Sequence, residues 1–391
     1  MTVQKNADLL IVGGGVLGSF FAYQALERGL SVVLLERHGA PAGATVRNFG
    51  QVVPSGLGEA WQPWGRESLG IYQAIQGRFD ISVRRQGTIY LASNEEELTL
   101  INELHAINSK SGYRSELWSA AQCCERYPNL RPEYCLSGLF FPDEISVNPR
   151  RMIHQLHKFL SAAESIEMRF RTCVADLVVD SDGSVKATTN TGAEIRAERA
   201  IVCSGSEFQT LFPQRFLASD LQAVKLQMLR LLPQPSPPIN LRGNILTGLS
   251  IRRYESFAEC PSWQAIKSRE PIESFARKWG IHILFKQEAD GGIILGDSHE
   301  YASVAQSHEL GFDLRSDVNQ FMLDEAAKIF DLPRWDVETS WFGVYCQTEH
   351  PSGIFTQTID DQIHIVTGIG GKGMTSSPGF TKHFLKEVYD G

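Results

Sequence analysis

"DLLIVGGGVLGSFFAYQALERGLSVVLLER", residues 8–37, is the stretch whose reading decides the fold. "DLLIV" is an apolar run of strand length, the glycines after it permit a tight turn, and "VLGSFFAYQALERG" carries apolar residues at helical spacing as far as Gly29. "LSVVLLER" reads as a second buried strand, ending in Glu36 and Arg37. Together they form a β-α-β unit with Gly13-x-Gly15-x-x-Gly18 in the first turn and an acid about twenty residues on, the pattern of dinucleotide binding. Gly13 and Gly14 make the turn, Gly15 lets the backbone approach a pyrophosphate, and Gly18 lets helix and strand pack closely. Val16 and Leu17 open a helix whose N-terminus offers N–H groups to phosphate, and Glu36 is placed to accept both ribose hydroxyls.

The rest of the chain sets bounds. Its 391 residues, 42% hydrophobic and 21% charged, describe a soluble globular protein large enough for two domains and a buried cofactor. A formal net charge of -8 argues against nucleic acid as a partner and points to small molecules. Seven cysteines, an odd number without a CxxC pair, suggest neither a disulfide framework nor a zinc site and predict a cytoplasmic setting. Cys123 and Cys124 read as inert thiols rather than a redox pair. The apolar cluster Leu9–Ala22 is too short to span a membrane and is broken by glycines, and "MTVQKNAD" before it is a poor basic leader, so no span and no targeting segment are expected.

NAD and FAD enzymes share the opening unit, but an FAD bound along its whole length needs further segments. Three are present. "GATVRNFGQVVPSG", residues 43–56, is polar and glycine-punctuated where a simple NAD domain continues into its next strand and helix. "FRTCVADLVVDSDGSVKATTNTGAEIRAERAIVCSGS", residues 170–206, reads as a β-meander with a hairpin turn at Asp182-Gly183, then a strand running into a glycine turn. A second glycine run, "VTGIGGKGMTSSPG", closes the chain at residues 366–379. Asn148-Pro149 is a helix start, with Met152, Leu156 and Phe159 or Leu160 as its buried face, and "LPQPSPP" at 232–238 is a rigid, exposed connection.

The opening unit, "TCVADLV", "RAIVCSGS" and "IHIVTGIGGKGMTSSPG" together resemble the D-amino-acid-oxidase-like family of FAD-dependent amine oxidoreductases, which includes glycine oxidase and sarcosine oxidase. The resemblance covers essentially the whole chain. It implies an α/β (α+β) fold: an FAD-binding Rossmann-like domain with a β-meander, plus a sheet-based substrate domain, discontinuous in sequence. The FAD domain would take 1–75, 146–220 and 335–391, and the substrate domain 76–145 and 221–334. Beyond the opening unit, the resemblance assigns to FAD Ala44, Thr45, Arg47, Asn48, Phe49 and Gly50, then Val174, Ser204, Gly205 and Gly343. Gly370, Gly371, Lys372, Gly373, Met374 and Thr375 match the loop that wraps the flavin and points a helix N-terminus at its pyrimidine end. Gly343 stands where covalently flavinylated members carry a cysteine, with Cys346 three residues later, so non-covalent FAD is expected. Ile294 stands where those members carry an oxygen-activating lysine, so the electron acceptor is oxygen or another carrier.

"ATVRNFGQ", "KLQMLRLLPQP", "SIRRYESFAECPS", "WGIHILFKQ", "LGDSHEY" and "WFGVYCQ", in that order, resemble the branch of this family associated with phosphonate use. That implies oxidation of an N-substituted aminophosphonate, such as N-methyl-2-aminoethylphosphonate, at a C–N bond, with imine hydrolysis releasing an amine and phosphonoacetaldehyde. The alternatives are a D-amino-acid, glycine or sarcosine-type enzyme acting on a carboxylate, and a non-catalytic, redox-sensing flavoprotein. A nicotinamide-only dehydrogenase is disfavoured by the closing loop, and monomer and homodimer both stay open.

The substrate expected is a small anionic or zwitterionic amine, whose head group needs a guanidinium or two other donors. Arg252, Arg253 and Tyr254 in "IRRYESF" are candidates, and adjacent arginines on a strand point to opposite faces, so at most one enters the pocket. Lys372 pairs with the reduced flavin or the head group, or is a solvated loop lysine; Arg47 touches the cofactor or a phosphonate. His282 and Tyr345 face the flavin, or are packed core residues. Asp297, His299, Glu300, His308 and Glu309 in "GDSHEYASVAQSHE", and His154 with His157 on one helix, fit no common ligand spacing, and no metal is expected.

Overall fold

In the computed structural model of the chain, residues 7–235 and 239–390 are described. The segment 1–6 lies outside them, as do the last three residues, 236–238, of the expected connection.

The opening unit folds as its pattern demands. β1 (Ala7–Val12) and β2 (Val32–Glu36) are parallel neighbours joined by α1 (Val16–Glu27). Leu9, Leu10 and Ile11 are fully buried, because a parallel strand covered on both faces has no solvent side. These strands sit in an eight-stranded sheet whose main path runs Phe355–Ile359, Ile363–Thr367, Glu194–Val202, β1, β2, Ile166–Phe170. Every pairing along it is parallel except the first. Val185–Thr189 pairs antiparallel with the first half of Glu194–Val202, and Val174–Val179 pairs antiparallel with Val185–Thr189 in turn, which forms the meander. Gly183, at its turn, has φ 80°, which glycine adopts without a Cβ penalty.

Helices pack on this sheet through one apolar core. Asn148 caps Pro149–Ser161, its side chain accepting from the Arg151 N–H at 2.9 Å, and Met152, Leu156 and Leu160 are the buried face. The last helix, Gly373–Asp390, contains Pro378, which has no N–H for the Met374 carbonyl one turn earlier. That carbonyl accepts instead from the Tyr72 hydroxyl at 2.9 Å, which ties the closing loop to the helix Gln62–Arg78. No helix among the described residues is long and apolar enough to cross a membrane.

A second, nine-stranded sheet is built around Gln222–Leu231, flanked by Ile293–Gly296 and Glu300–Ser303 on one edge. Val337–Gln347, which begins inside the segment 335–391, pairs along its length with Gln222–Leu231 and is a strand of this second sheet. The chain returns to the first sheet only at Phe355. A short pairing of Gln51–Val52 with Ile145–Ser146 lies where the chain passes between the two bodies.

Candidate active site

One continuous cavity of about 950 Å³ begins at the N-terminus of α1 and ends among side chains of the second sheet. Gly13 opens it with φ 108°, and a Cβ there would stand 2.3 Å from the Cys203 carbonyl oxygen. A Cβ on Gly18 would stand 1.9 Å from the Gly13 carbonyl oxygen, so helix and turn touch only because this position is bare. The Gly14 N–H donates to Glu36 at 2.9 Å and the His38 N–H to its other oxygen at 2.9 Å. A carboxylate has about four lone-pair sites, so Glu36 still has two for ribose hydroxyls. His157 Nε2 lies 3.1 Å from the Gly14 carbonyl and 2.9 Å from the Ser19 hydroxyl, so this histidine braces the glycine turn.

Every residue of the expected cofactor set lines this cavity except Gly14 and Gly18, which shape its wall from behind. Thr45 accepts from the Val16 N–H at 2.9 Å, fastening the 43–50 loop to the start of α1. Gly373, Met374 and Thr375, the first turn of the last helix, face the same space from the far side, presenting a positive helix end. Arg47 lines the cavity, and its guanidinium donates to the carbonyls of Ala42 at 2.8 Å and Phe342 at 3.0 Å, so two of its five N–H groups hold loops. Lys372 is close to Glu255, with 3.4 Å between Nζ and Oε1, and lies over the Trp61 ring.

At the other end, the two neighbouring arginines part company. Arg252 follows the short helix Gly248–Ile251 rather than sitting on a strand, and it lies outside the cavity lining. It contacts Glu96 at 3.0 Å, Glu97 at 3.1 Å and Glu270 at 3.6 Å, so its charge is already neutralised and its expected place in the substrate site is corrected. Arg253 lines the cavity, with no carboxylate within 4.0 Å among the described residues, and its Nε donates to His282 Nε2 at 2.9 Å. Tyr254 and Tyr345 line the same end, and burial pushes both phenols up.

The strand end Ile293–Gly296 delivers Asp297 and His299, which the sequence pattern presents as a polar turn. Spacing alone suggests no metal, yet His282, Asp297 and His299 converge, with ligand atoms within 4.8 Å of one another. Glu300, His308 and Glu309 take no part in this cluster. The donor set nonetheless fits a cation poorly. His282 Nε2 already accepts from Arg253, so a metal on Nδ1 would need an imidazolate, and a guanidinium would stand beside the dication. Burial lowers the His282 pKa well below its usual value and brings His299 down to about 3, while the same desolvation lifts Asp297 to about 7.

The N-terminal cradle, acid and opposed helix end form a continuous channel that fits FAD. Two thiols, Cys203 and Cys346, line it, and burial raises both, which keeps them out of the thiolate form that covalent attachment requires. Comparison with known proteins agrees. Residues 8–385 match the family described as "FAD dependent oxidoreductase" (DAO). An opine oxidase subunit from Rhizobium meliloti is 22% identical over 367 residues, 90% of this chain and 85% of that protein. Glycine oxidase of Geobacillus kaustophilus (strain HTA426) is 26% identical over 212 residues, 51% of this chain and 54% of that one. The crystal structure of glycine oxidase from Geobacillus kaustophilus superposes with a TM-score of 0.76 at 18% identity, covering 99% of this chain and 95% of that one. A β-α-β cradle, a meander and a closing glycine loop around one cavity, matched along nearly the whole chain, make this protein an enzyme of the DAO family of FAD-dependent oxidoreductases.

Proposed function

We propose that the enzyme oxidises the C–N bond of a small N-substituted amine with an anionic head, and that this head is a phosphonate. The substrate on this reading is an N-alkylated 2-aminoethylphosphonate, converted to phosphonoacetaldehyde and an amine. The observation that carries it is Arg253, a cavity-lining guanidinium with no carboxylate within 4.0 Å among the described residues, beside the His282 and His299 rings. A dianionic head asks for such a donor, and Tyr254 and Tyr345 supply hydroxyls to the same end. Bound FAD supplies the two-electron acceptor for a hydride leaving the carbon next to nitrogen. The chain's own contribution is to bind, orient and dry the amine: Arg253 fixes the head, and Leu226 and Leu284 form apolar wall. Water then adds to the imine carbon and the C–N bond breaks.

A carboxylate head suits a guanidinium as well, and the likeness to glycine oxidase and to the opine oxidase protein favours that second reading. Oxygen or another carrier takes the electrons onward. The unbridged state of all seven cysteines supports a cytoplasmic placement. The test is anaerobic mixing of the FAD-loaded protein with N-methyl-2-aminoethylphosphonate, then sarcosine, glycine and D-alanine, following the flavin absorbance. Bleaching by the phosphonate alone is expected. Bleaching only by the carboxylates replaces the phosphonate reading with the amino-acid one, and a flavin that no amine reduces removes both. Admitting air afterwards reads the acceptor.

A further inference from the structure

Asp297 is 7% exposed, lines the cavity, and its Oδ1 has no hydrogen-bond partner among the described residues. Its main-chain carbonyl accepts from the His282 N–H at 2.8 Å, and its own main-chain N–H lies against the carboxylate. A buried carboxylate oxygen without a partner is costly, and such an atom persists where a ligand completes it. We infer that Asp297 is the amine subsite: its carboxylate receives the ammonium of the substrate and takes one proton from it, leaving the nitrogen lone pair free while Arg253 holds the anionic head.

This inference rests on the amine-oxidation reading and adds a residue to it. The groups facing Asp297 come from every neighbouring element: Arg253 and Tyr254 after the helix Gly248–Ile251, His282 before the strand Leu284–Gln287, His299 beyond its own strand, Tyr301 on Glu300–Ser303, and Tyr345 on Val337–Gln347. Glu255, further along the wall, is paired with Lys372. Arginine cannot accept a proton. Burial holds His282 and His299 neutral, the latter with its Nδ1 on the Gly280 carbonyl at 2.8 Å, and raises the Tyr254 and Tyr345 phenols. Desolvation lifts the Asp297 carboxyl to about 7, so near neutral pH it is the one group of this cluster balanced between its two forms. In the step, a substrate N–H bond breaks, an O–H bond forms on Asp297, and no electrons leave the pair. The hydride is lost to FAD afterwards, and the Asp297 proton returns to water.

A zwitterionic substrate is thus read at both ends. Arg253 makes no ion pair with Asp297 within 4.0 Å, although its charge partly offsets the desolvation of that carboxyl, so both groups keep donors or acceptors for the ligand.

The experiment follows flavin reduction against pH, by stopped flow, in the FAD-loaded wild type, Asp297→Asn and Asp297→Glu. In the wild type the rate should rise through about pH 7. In Asp297→Asn that limb should move up towards about 10, the ionisation of a free alkylamine, with the rate at pH 7.5 down about a hundredfold. Asp297→Glu should restore a limb below 8. A second readout is binding to dithionite-reduced enzyme, which cannot turn over. Asp297→Asn should weaken N-methyl-2-aminoethylphosphonate or sarcosine about tenfold or more while leaving ethylphosphonate or acetate, the same heads without the amine, unchanged. A wild-type profile with no limb near 7, or equal loss of amine-bearing and amine-free ligands in Asp297→Asn, overturns the inference. A wild-type flavin that no amine reduces overturns the underlying reading instead, and the two failures are told apart by the wild type alone.

Discussion

The ammonium of Lys286, on the strand Leu284–Gln287 of the second sheet, donates to the main-chain carbonyl of Val147 at 2.7 Å. The same nitrogen donates to the carbonyl of Phe49 and pairs with Glu288 at 2.9 Å. Phe49 lies in the cofactor loop and Val147 just before the helix Pro149–Ser161, so one buried cation ties the FAD loop, the crossing segment and the substrate sheet together. Lys286→Met leaves two carbonyls without a donor and Glu288 without its cation. Removing one partner of a buried pair costs about 3 kcal/mol. The variant should melt lower and purify with less than half the FAD per protein. A wild-type melting temperature and full flavin content would show that the tie is not needed.

Gly18→Ala should give apoprotein. Its Cβ would lie 1.9 Å from the Gly13 carbonyl oxygen, both atoms being fixed by the β1 turn, so α1 must back away and take its N-terminal N–H groups with it. FAD affinity should fall by about tenfold or more, that is by at least about 1.4 kcal/mol, read by flavin fluorescence on dilution. Gly29→Ala is the control: φ there is 76° and nothing lies within 4 Å, so it costs about 1 kcal/mol of stability and spares FAD.

The difference between these two sites is also the difference between what the sequence discloses and what it conceals. The cradle is local: strand, glycines, helix and acid lie within thirty residues or so, and Gly18 is demanded by a contact with the Gly13 carbonyl inside the motif. The substrate end is not local. Arg253, His282 and Asp297 come from three segments, and whether Arg252 or its neighbour faces the cavity depends on Glu96, Glu97 and Glu270, far off in the chain. A strand reading of "IRRYESF" misses this, because a short helix and turn put the two arginines in different surroundings. Nothing in the sequence singles out Lys286, and only the fold puts two carbonyls in front of it. Asp297 and His299 carry one signal, a polar i, i+2 pair ending an apolar strand, but it does not distinguish a cavity wall from a turn.

Glu144 offers a pH test of stability. It is fully buried, accepts from the Ser55 N–H and the Tyr113 hydroxyl, each at 2.7 Å, and burial lifts its pKa from 4.5 to about 7. The folded state therefore holds this proton more tightly than the unfolded chain. Its contribution is fully present below about pH 4.5, falls as pH rises to about 7, and is absent above. At about 1.4 kcal/mol per unit the loss is about 3 kcal/mol. Glu144→Gln keeps an acceptor for both donors and cannot ionise. Relative to wild type it should gain stability between pH 5 and pH 8, measured by urea unfolding at both. A difference that does not change with pH would mean that Glu144 is already ionised in the fold.

Arg252 and Arg253 provide a paired test of the substrate end, because adjacent residues of the same type make opposite predictions. Arg252→Met strands Glu97, whose side chain is 5% exposed, while Glu270 keeps Lys267 at 2.7 Å. Leaving a buried carboxylate without its cation costs about 3 kcal/mol, so this variant should melt well below wild type. Its flavin, once loaded, should be reduced by substrate at nearly the wild-type rate, since Arg252 lies outside the cavity. Arg253→Met removes a guanidinium with no carboxylate partner among the described residues, and stability should stay within about 0.5 kcal/mol of wild type. What it loses is the anchor of the anionic head: the substrate concentration for half-maximal flavin reduction should rise about thirtyfold, the low end of the cost of removing one member of a desolvated charge pair. Arg253→Lys should recover only part of this, because an ammonium cannot offer the planar two-point grip of a guanidinium. If instead Arg252→Met loses substrate affinity while Arg253→Met merely unfolds, the anion-binding end of the cavity is elsewhere, and the assignment of the head group to Arg253 falls.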